Sequence, residues 1–551
     1  MYQDQNNSPK RLSIWLPLLF ALVLVTGILI GMRMQSNTPT GITEAPDASL
    51  HTLGQGKVEE ILRYIEAKYV DEVDRDALIQ EVIEDMLAKL DPHSNYITAE
   101  QLREVNEQLE GNFDGIGVEF MMLDDTIVVV APLAGGPSEA AGIQAGDKII
   151  QIADSTIAGV NKDTREVINM LRGEKGTEVV VGILRGGEKK IRKFTITRDE
   201  IPMHSVDVAY MLDDKSGYIK VNRFSATTYE EFMKGLEKLV DAGMEDLVID
   251  LRHNPGGYLQ QATNMLSQLF SRKDKLLVYT EGRAVNRSNY ESTGRAFFDV
   301  DDIVVLIDEG SASASEILAG AIQDHDRGVI VGRRSFGKGL VQEQYKLRDG
   351  SALRLTVARY YTPSGRSIQK PYGDNVEAYE NEMAHRFESG ELVGEQQMEV
   401  GDSTQYYTDN GRVVYGGGGI TPDIFVPMDT IVLNDDYLEL RQHVPQFVFR
   451  YMNESGKGLS EYSLPSFIRK FQVNDELYDK FVAYAKGHGA AVSPNGDKQV
   501  KAEVKRFIKA RIAKHLFEDE GFYNVWNQED RMIKEALKAL ENSKPLTASQ
   551  E

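Results

Sequence analysis

The sequence predicts an α/β chain of several domains, and three observations carry that reading. Residues 201–370 alternate short apolar runs with amphipathic stretches, the pattern of strands joined by helices. Residues 111–200 change to short β-rich runs separated by glycine turns. Both flanks, 55–110 and 431–551, carry helical periodicity. A chain of 551 residues is long enough for several such units, at roughly 100–200 residues each.

Composition narrows the function classes. The hydrophobic fraction of 41% and charged fraction of 27% are those of a globular protein. A formal net charge of −23 disfavours nucleic-acid binding, which depends on Lys and Arg neutralising phosphates. There is no cysteine, which excludes disulfides, Cys-ligated zinc and thiol nucleophiles.

The elements follow in order. Lys10 and Arg11 precede an apolar run over residues 12–32, broken only by Ser13, Pro17, Thr26 and two glycines. About 20 apolar residues span a bilayer. The flanking charges orient the run as a signal anchor with residues 1–11 in the cytoplasm. A cleaved leader is the rival reading. Residues 33–54 are polar and read as a linker. In 55–110, Val58, Ile61, Leu62 and Ile65 share one helix face, and Leu78, Val82, Ile83, Met86 and Leu87 another. Thr98 reads as an N-cap. The β-rich domain carries predicted strands at 117–122, 126–130, 148–152, 178–184 and 190–197, with a helix near 164–172. The α/β region carries predicted strands at 247–251, 303–307 and 329–331, with helices over 258–270 and 313–323. Residues 371–415 are polar and acidic and read as an insertion or a mobile loop. Beyond 430 the helical stretches include 501–517 and 529–540.

Three segments carry chemistry. In GSASASEI, a strand runs through small residues into a helix, bringing Ser311, Ser313 and Ser315 to the corner. A helix start offers free N–H groups and partial positive charge, so a serine there can attack a carbonyl while an amide holds the oxyanion. Serines also cap helices, and that is the plainer reading of any one of them. In VGRRSFGKGLVQ, Lys338 lies between two glycines. A lysine serves as base when desolvation lowers its pKa toward neutral; most lysines are simply exposed. In DLRHNPGG, a buried strand ends in a glycine turn able to supply an oxyanion donor, although alone it is only a turn. Two decoys are set aside. The segment from Gly332 to Lys338 nearly matches a phosphate-binding loop, but Gly339 stands where Ser or Thr is needed. His253 and His325 could belong to a triad, yet neither sits in a base-bearing motif.

Together these segments resemble the C-terminal processing peptidases, or tail-specific proteases. The likeness spans about residues 55–370 and 411–427, through LDPHS, GIGV, AGIQAGDKI, LRGEKGT, GYIKVNRF, DLRHNPGGYL, GSASASEILAGAIQD, SFGKGLVQ, YYTPSGRSIQ and GGGITPDI in that order. The resemblance implies a crotonase/ClpP-like protease core over 201–430, with 371–415 inserted, and a PDZ β-domain over 111–200. It implies Ser313 as nucleophile, Lys338 as base and Gln342 as the group orienting the amine. The amides of Gly256 and Ala314 would hold the oxyanion, and Glu316 would support the geometry. Gly115, Ile116, Gly117 and Val118 would bind the terminal carboxylate of a peptide, with Ile116, Val118 and Phe120 shaping the pocket for its last side chain. Arg172 either ties the PDZ domain to the body or is an ordinary surface arginine.

The expected activity is a serine endopeptidase acting through an acyl-enzyme on protein or peptide substrates with apolar C-termini. No cofactor or metal is implied. The expected place is a bacterial inner membrane, single-pass, with the catalytic part on the periplasmic side. The helical region over 431–551 leaves a homo-oligomer contact or an activating partner open. A catalytically silent PDZ scaffold would lack Ser313 or Lys338, and both are present.

Overall fold

The computed structural model describes residues 55–542 apart from 187, 373–378, 380, 395–401 and 493–496. The expected anchor at 12–32 and linker at 33–54 lie outside the described residues. Among the described residues no helix is long and apolar enough to cross a membrane. The described residues divide into two compact units, one drawn from 55–87, 93–99 and 342–355, the other from the remaining described residues.

In the first unit, helices Gln55–Lys68 and Arg75–Ala88 follow the expected periodicity. Arg75 joins them through Glu59 (3.0 Å) and Glu66 (3.1 Å). Their apolar faces are only partly covered. Leu62 and Leu87 are buried, whereas Val58, Ile61, Val82 and Met86 are exposed. The short strand Asn95–Ile97 pairs antiparallel with residues 352–354.

The second unit is built on a six-stranded sheet in the order Val206–Met211, Ser216–Val221, Asp246–Asp250, Ile303–Ile307, Val329–Gly332, Ile424–Phe425. The first pair is antiparallel and the other four are parallel. Strand Ile303–Ile307 is buried at every position because both faces are covered. Ile303, Val305 and Ile307 point into a core with helices Thr228–Asp241, Leu259–Leu269 and Ala314–Asp324. Val304 and Leu306 point the other way, with Tyr218, Val248 and Val331, onto Met532, Ile533, Ala536 and Leu540 of the last helix, Arg531–Asn542. That helix also tethers itself by charge. Arg252 bonds both Asp250 (2.6 Å) and Asp530 (2.6 Å). Burial works against the charge on Asp250, but Arg252 and Lys220 outweigh it and hold its carboxyl below the usual range.

The β-domain is an antiparallel sheet in the order Val118–Met122, Ile127–Pro132, Lys148–Ile152, Glu178–Leu184, Arg192–Thr197, with helix Thr164–Leu171 against it. Its core is almost entirely Ile, Val and Leu. Strands Asn112–Gly115 and Asp199–Pro202 pair where the chain enters and leaves, so the domain hangs from one ribbon as an insertion does. Arg172 does tie it down, to Glu107 (2.8 Å) on helix Ala99–Glu110 and over the Phe113 ring.

The segment 371–415 was expected as an insertion or a mobile loop, and part of it is described. Helix Glu382–Glu388 and the residues after it lock onto the core through a buried ion cluster. Arg334 bonds Glu391 twice (2.7 and 2.8 Å), Arg386 joins Glu391 (3.0 Å), and Lys370 bonds Glu382 (2.6 Å). Polar composition therefore marks charge pairing here instead of solvation. After residue 430, helices Asp435–Ser455, Leu464–Lys470, Asp475–Gly487 and Lys498–Trp526 surround a core of their own.

Because the last helix seals one face of the central sheet, a chain ending near residue 430 is expected to aggregate on expression. Within the full chain, Ile533→Ala is expected to lower stability by about 2–4 kcal/mol in urea unfolding. An unchanged midpoint would show that the sheet does not depend on this helix.

Candidate active site

The three motifs meet at the carboxyl ends of adjacent parallel strands, where α/β sheets place their sites. Strand Asp246–Asp250 leads into the NPGG turn, Ile303–Ile307 into the SASAS corner, and Val329–Gly332 into the FGKG loop.

The three serines of the corner differ. Ser311 is buried and its Oγ donates to the Leu251 carbonyl (2.8 Å). Ser315 is buried and donates to the Asn254 carbonyl (2.9 Å). Ser313 is only partly buried and sits at φ 56°, ψ −115°, a backbone region that a residue with a side chain seldom adopts. The flanking pair are stitches, and the middle serine is held on a strained corner. Ala314 opens the helix, so its N–H is among those with no intrahelical acceptor.

The NPGG turn packs directly on that corner. A Cβ at Gly256 would lie 2.6 Å from the Ala312 carbonyl oxygen, 2.7 Å from Ser313 Cβ and 2.9 Å from Ala314 N. Asn254 binds the two together, its carbonyl accepting from Ala312 N (3.0 Å) as well as from Ser315. Its Oδ1 accepts the Gly256 amide (2.8 Å). The amide expected as an oxyanion donor is thus engaged, because Asn bonds the backbone two residues on when it opens a turn.

Glu316 joins the serine corner to the lysine loop. Fully buried, it accepts from Ser313 N (2.9 Å) and Lys338 N (2.8 Å) on Oε2. Ser335 Oγ (2.5 Å) and Gly337 N (2.7 Å) donate to Oε1. Burial pushes its pKa up to about 7, against the pull of these donors. The same bonds dispose of the phosphate-loop reading, since a carboxylate already takes the amides of residues 337 and 338. Tyr360 adds a second tie, donating to the carbonyls of Ser313 (3.0 Å) and Lys338. Burial raises its pKa well above the ordinary value, so it remains a donor. Gly337 lies at φ 87°, and a Cβ there would meet Gly419 N and Lys370 Cβ at 3.1 Å.

Lys338 is partly buried at the head of this loop. Gln342 lies on the following strand, and its amide nitrogen donates to the His93 carbonyl (2.5 Å). Of the triad candidates, His253 pairs with Asp308 (3.0 Å) and His325 with Asp409 (3.0 Å), and neither pair includes Ser313. Asn254, Tyr360 and the Arg386–Glu391 clasp were not singled out from sequence. Tyr360 lies in the YYTPSGRSIQ motif, but nothing there announces which carbonyls it reaches.

The second candidate site, in the β-domain, is the segment Gly115, Ile116, Gly117 and Val118. The Ile116 carbonyl accepts from Ser138 N (3.1 Å) and Oγ (2.5 Å), and the Gly117 carbonyl accepts from Leu133 N (3.0 Å). Carbonyl and following N–H point opposite ways across a trans peptide. The amides of Gly117 and Val118 therefore face away from these bonds, as a carboxylate-binding loop requires.

Both regions lie within matches to known families. Residues 215–377 match the family described as Peptidase family S41, and residues 115–196 match the PDZ domain. Residues 437–519 match a family of unknown function, DUF8443. The chain is 39% identical over 319 residues to carboxy-terminal processing protease CtpB of Bacillus subtilis (strain 168), covering 57% of this chain and 65% of that protein. It is 32% identical over 406 residues to a carboxy-terminal-processing protease of Bartonella bacilliformis, covering 71% and 89%. Among solved structures, a photosystem II D1 C-terminal processing protease aligns with TM-score 0.34 and 27% identity, covering 68% of this chain and 88% of that one.

Glu316→Gln tests the clasp. An amide offers one acceptor oxygen, so its NH₂ must face donors it cannot serve, and activity is expected to fall at least about tenfold in a folded chain. Difference infrared spectroscopy of the parent should show a buried protonated carboxyl disappearing with a midpoint near pH 7, and the variant should lack it. The folded chain then keeps a proton that the unfolded chain has already released. This group's contribution to stability accordingly falls as pH rises from the ordinary carboxylate range through 7. A midpoint near 4.5 would mean that the donors cancel the effect of burial.

Proposed function

The chain belongs to the carboxy-terminal processing proteases, serine proteases with a PDZ domain, and from that premise we propose that it hydrolyses peptide bonds with Ser313 and Lys338 after capturing substrate tails on its PDZ domain. The observation that carries this reading is the selective exposure of Ser313. Its neighbours Ser311 and Ser315 are buried and donate to backbone carbonyls, while Ser313 is only partly buried and sits on a strained corner at the helix start.

In this mechanism Ser313 Oγ attacks the scissile carbonyl and neutral Lys338 takes its proton. The proton then passes to the leaving amine, and water resolves the acyl-enzyme. The Ala314 amide holds the oxyanion. The Gly256 amide can join it only by leaving Asn254 Oδ1, so Gly256 contributes first through the side chain it lacks. The same reading assigns Gln342 the orientation of the amine. The amides of Gly117 and Val118 take the substrate's terminal carboxylate. Residues 12–32, behind Lys10 and Arg11, anchor the chain in a bacterial inner membrane with the catalytic part on the periplasmic side.

The test compares the chain with its Ser313→Ala and Lys338→Ala variants on an unfolded protein bearing an apolar C-terminus, with fragments read by mass spectrometry. The parent is expected to cleave and the folded variants to lose activity by at least about 10³-fold. Equal cleavage by all three would remove the pair from the chemistry. A lysine base works only when neutral, so kcat/KM should fall as pH drops below its pKa. A rate unchanged well below about pH 6 would exclude that base.

A further inference from the structure

The PDZ strand Val118–Met122 ends its sheet, and among the described residues no strand pairs with its outer edge. The register shows which groups face that edge. Leu123 and Thr126 exchange two hydrogen bonds (2.8 and 3.1 Å) across the hairpin turn. The next pair, Met122 and Ile127, is therefore the non-bonded kind, with its N–H and C=O turned outward. Val129 bonds Asp147 O and Gly146 N (2.8 Å each), so Phe120 opposite it also turns its groups to the free edge. A tail added antiparallel, its carboxylate on the Gly117 and Val118 amides, pairs at every second residue. Its last residue would meet Val118, its third from last Phe120 and its fifth from last Met122.

The third of those positions is occupied. Gln446 Nε2, on helix Asp435–Ser455, donates to the Met122 carbonyl at 2.9 Å. Tyr484 donates to Gln446 Oε1 (3.3 Å), which holds the amide this way round. Arg450, one turn on, pairs with Asp124 (2.7 Å) and lies over the Tyr484 ring. Phe449 is buried and, with Leu123 and Val128, lines a cavity of about 300 Å³. Arg511 and His515 of helix Lys498–Trp526 stand near Glu119 of the same strand: burial lowers the pKa of both, and the charge of Glu119 opposes both shifts.

We propose that helix Asp435–Ser455 is a built-in stop for the substrate tail. Gln446 takes the carbonyl that the fifth residue from the C-terminus would use, so only about the last four residues add as a strand. The substrate chain must leave the edge there. This gives the region matching DUF8443 a role in setting how much of a tail is read, and it rests on the tail-binding reading above.

The test is calorimetry on the full chain in detergent, silenced by Ser313→Ala, with peptides of four, six and eight residues sharing one apolar C-terminus. A free four-residue tail should bind, and its amidated form should bind at least about tenfold more weakly. Lengthening to eight residues should change the parent's affinity by less than about twofold. In Gln446→Ala and Gln446→Leu the same lengthening should gain about fivefold or more, with the four-residue affinity unchanged. Tyr484→Phe, which only loosens Gln446, should give a smaller gain and serves if the others fail to fold. A parent whose affinity climbs about fivefold with length, or variants as flat as the parent, would overturn the stop while leaving tail binding intact. No binding of any free tail would overturn both.

Discussion

The Glu316 carboxylate is the constraint on which the site depends. Removing a carboxylate from water is costly unless its lone pairs are filled. Here they are filled by two donors from each side, Ser313 N and Lys338 N on one oxygen, Ser335 Oγ and Gly337 N on the other. The donors come from the loops after two neighbouring parallel strands. Neither loop can move far without leaving a buried charge short of partners. The nucleophile and base candidates are therefore positioned through their backbones.

That arrangement explains which parts of the site could be read in advance. The strands after 246, 303 and 329 are buried on both faces, so their sequences are continuous apolar runs, and the motifs stand out where those runs end. Parallel neighbours bring such ends together without any further signal. What stayed hidden depends on side chains reaching across the fold. Asn254 takes the Gly256 amide, which spacing alone cannot distinguish from a free donor. Arg386 reaches the carbonyls of Arg334 and Ser335 from a segment whose acidity reads as solvation. The exposed stripes of helices Gln55–Lys68 and Arg75–Ala88 show the converse, since periodicity reveals a face but not what covers it.

The C-terminal helices belong to the enzyme's architecture at both of its working parts. One end seals the far face of the central sheet and pairs Asp530 with Arg252, two residues before the NPGG turn. The other end meets the PDZ strand at Met122 and Asp124. A single body thus touches the segment that leads into the NPGG turn and the free-edged strand of the β-domain. The 29-residue helix between them bends at Phe517 and Glu518, where the backbone leaves helical angles. The bend lets one helix serve the bundle core before it and the sheet after it, with Tyr523 bonding Asp207 (2.8 Å).

The ion cluster of the insertion completes the argument about the lysine loop. Buried ion pairs seldom add net stability over apolar packing, but losing one partner leaves a stranded charge, so they penalise alternative geometries. Arg334, Arg386, Glu391, Glu382 and Lys370 form such a set on the outer side of the loop, while Glu316 grips it from within. Lys370 also lies over the rings of Phe336 and Tyr379, and Phe336 stands two residues before Lys338. The loop is held from both directions by charges that tolerate few other arrangements. In the proposed mechanism, a lysine that has to stay neutral and aimed needs that fixity more than it needs stability, because small displacements at a reacting centre are costly in rate.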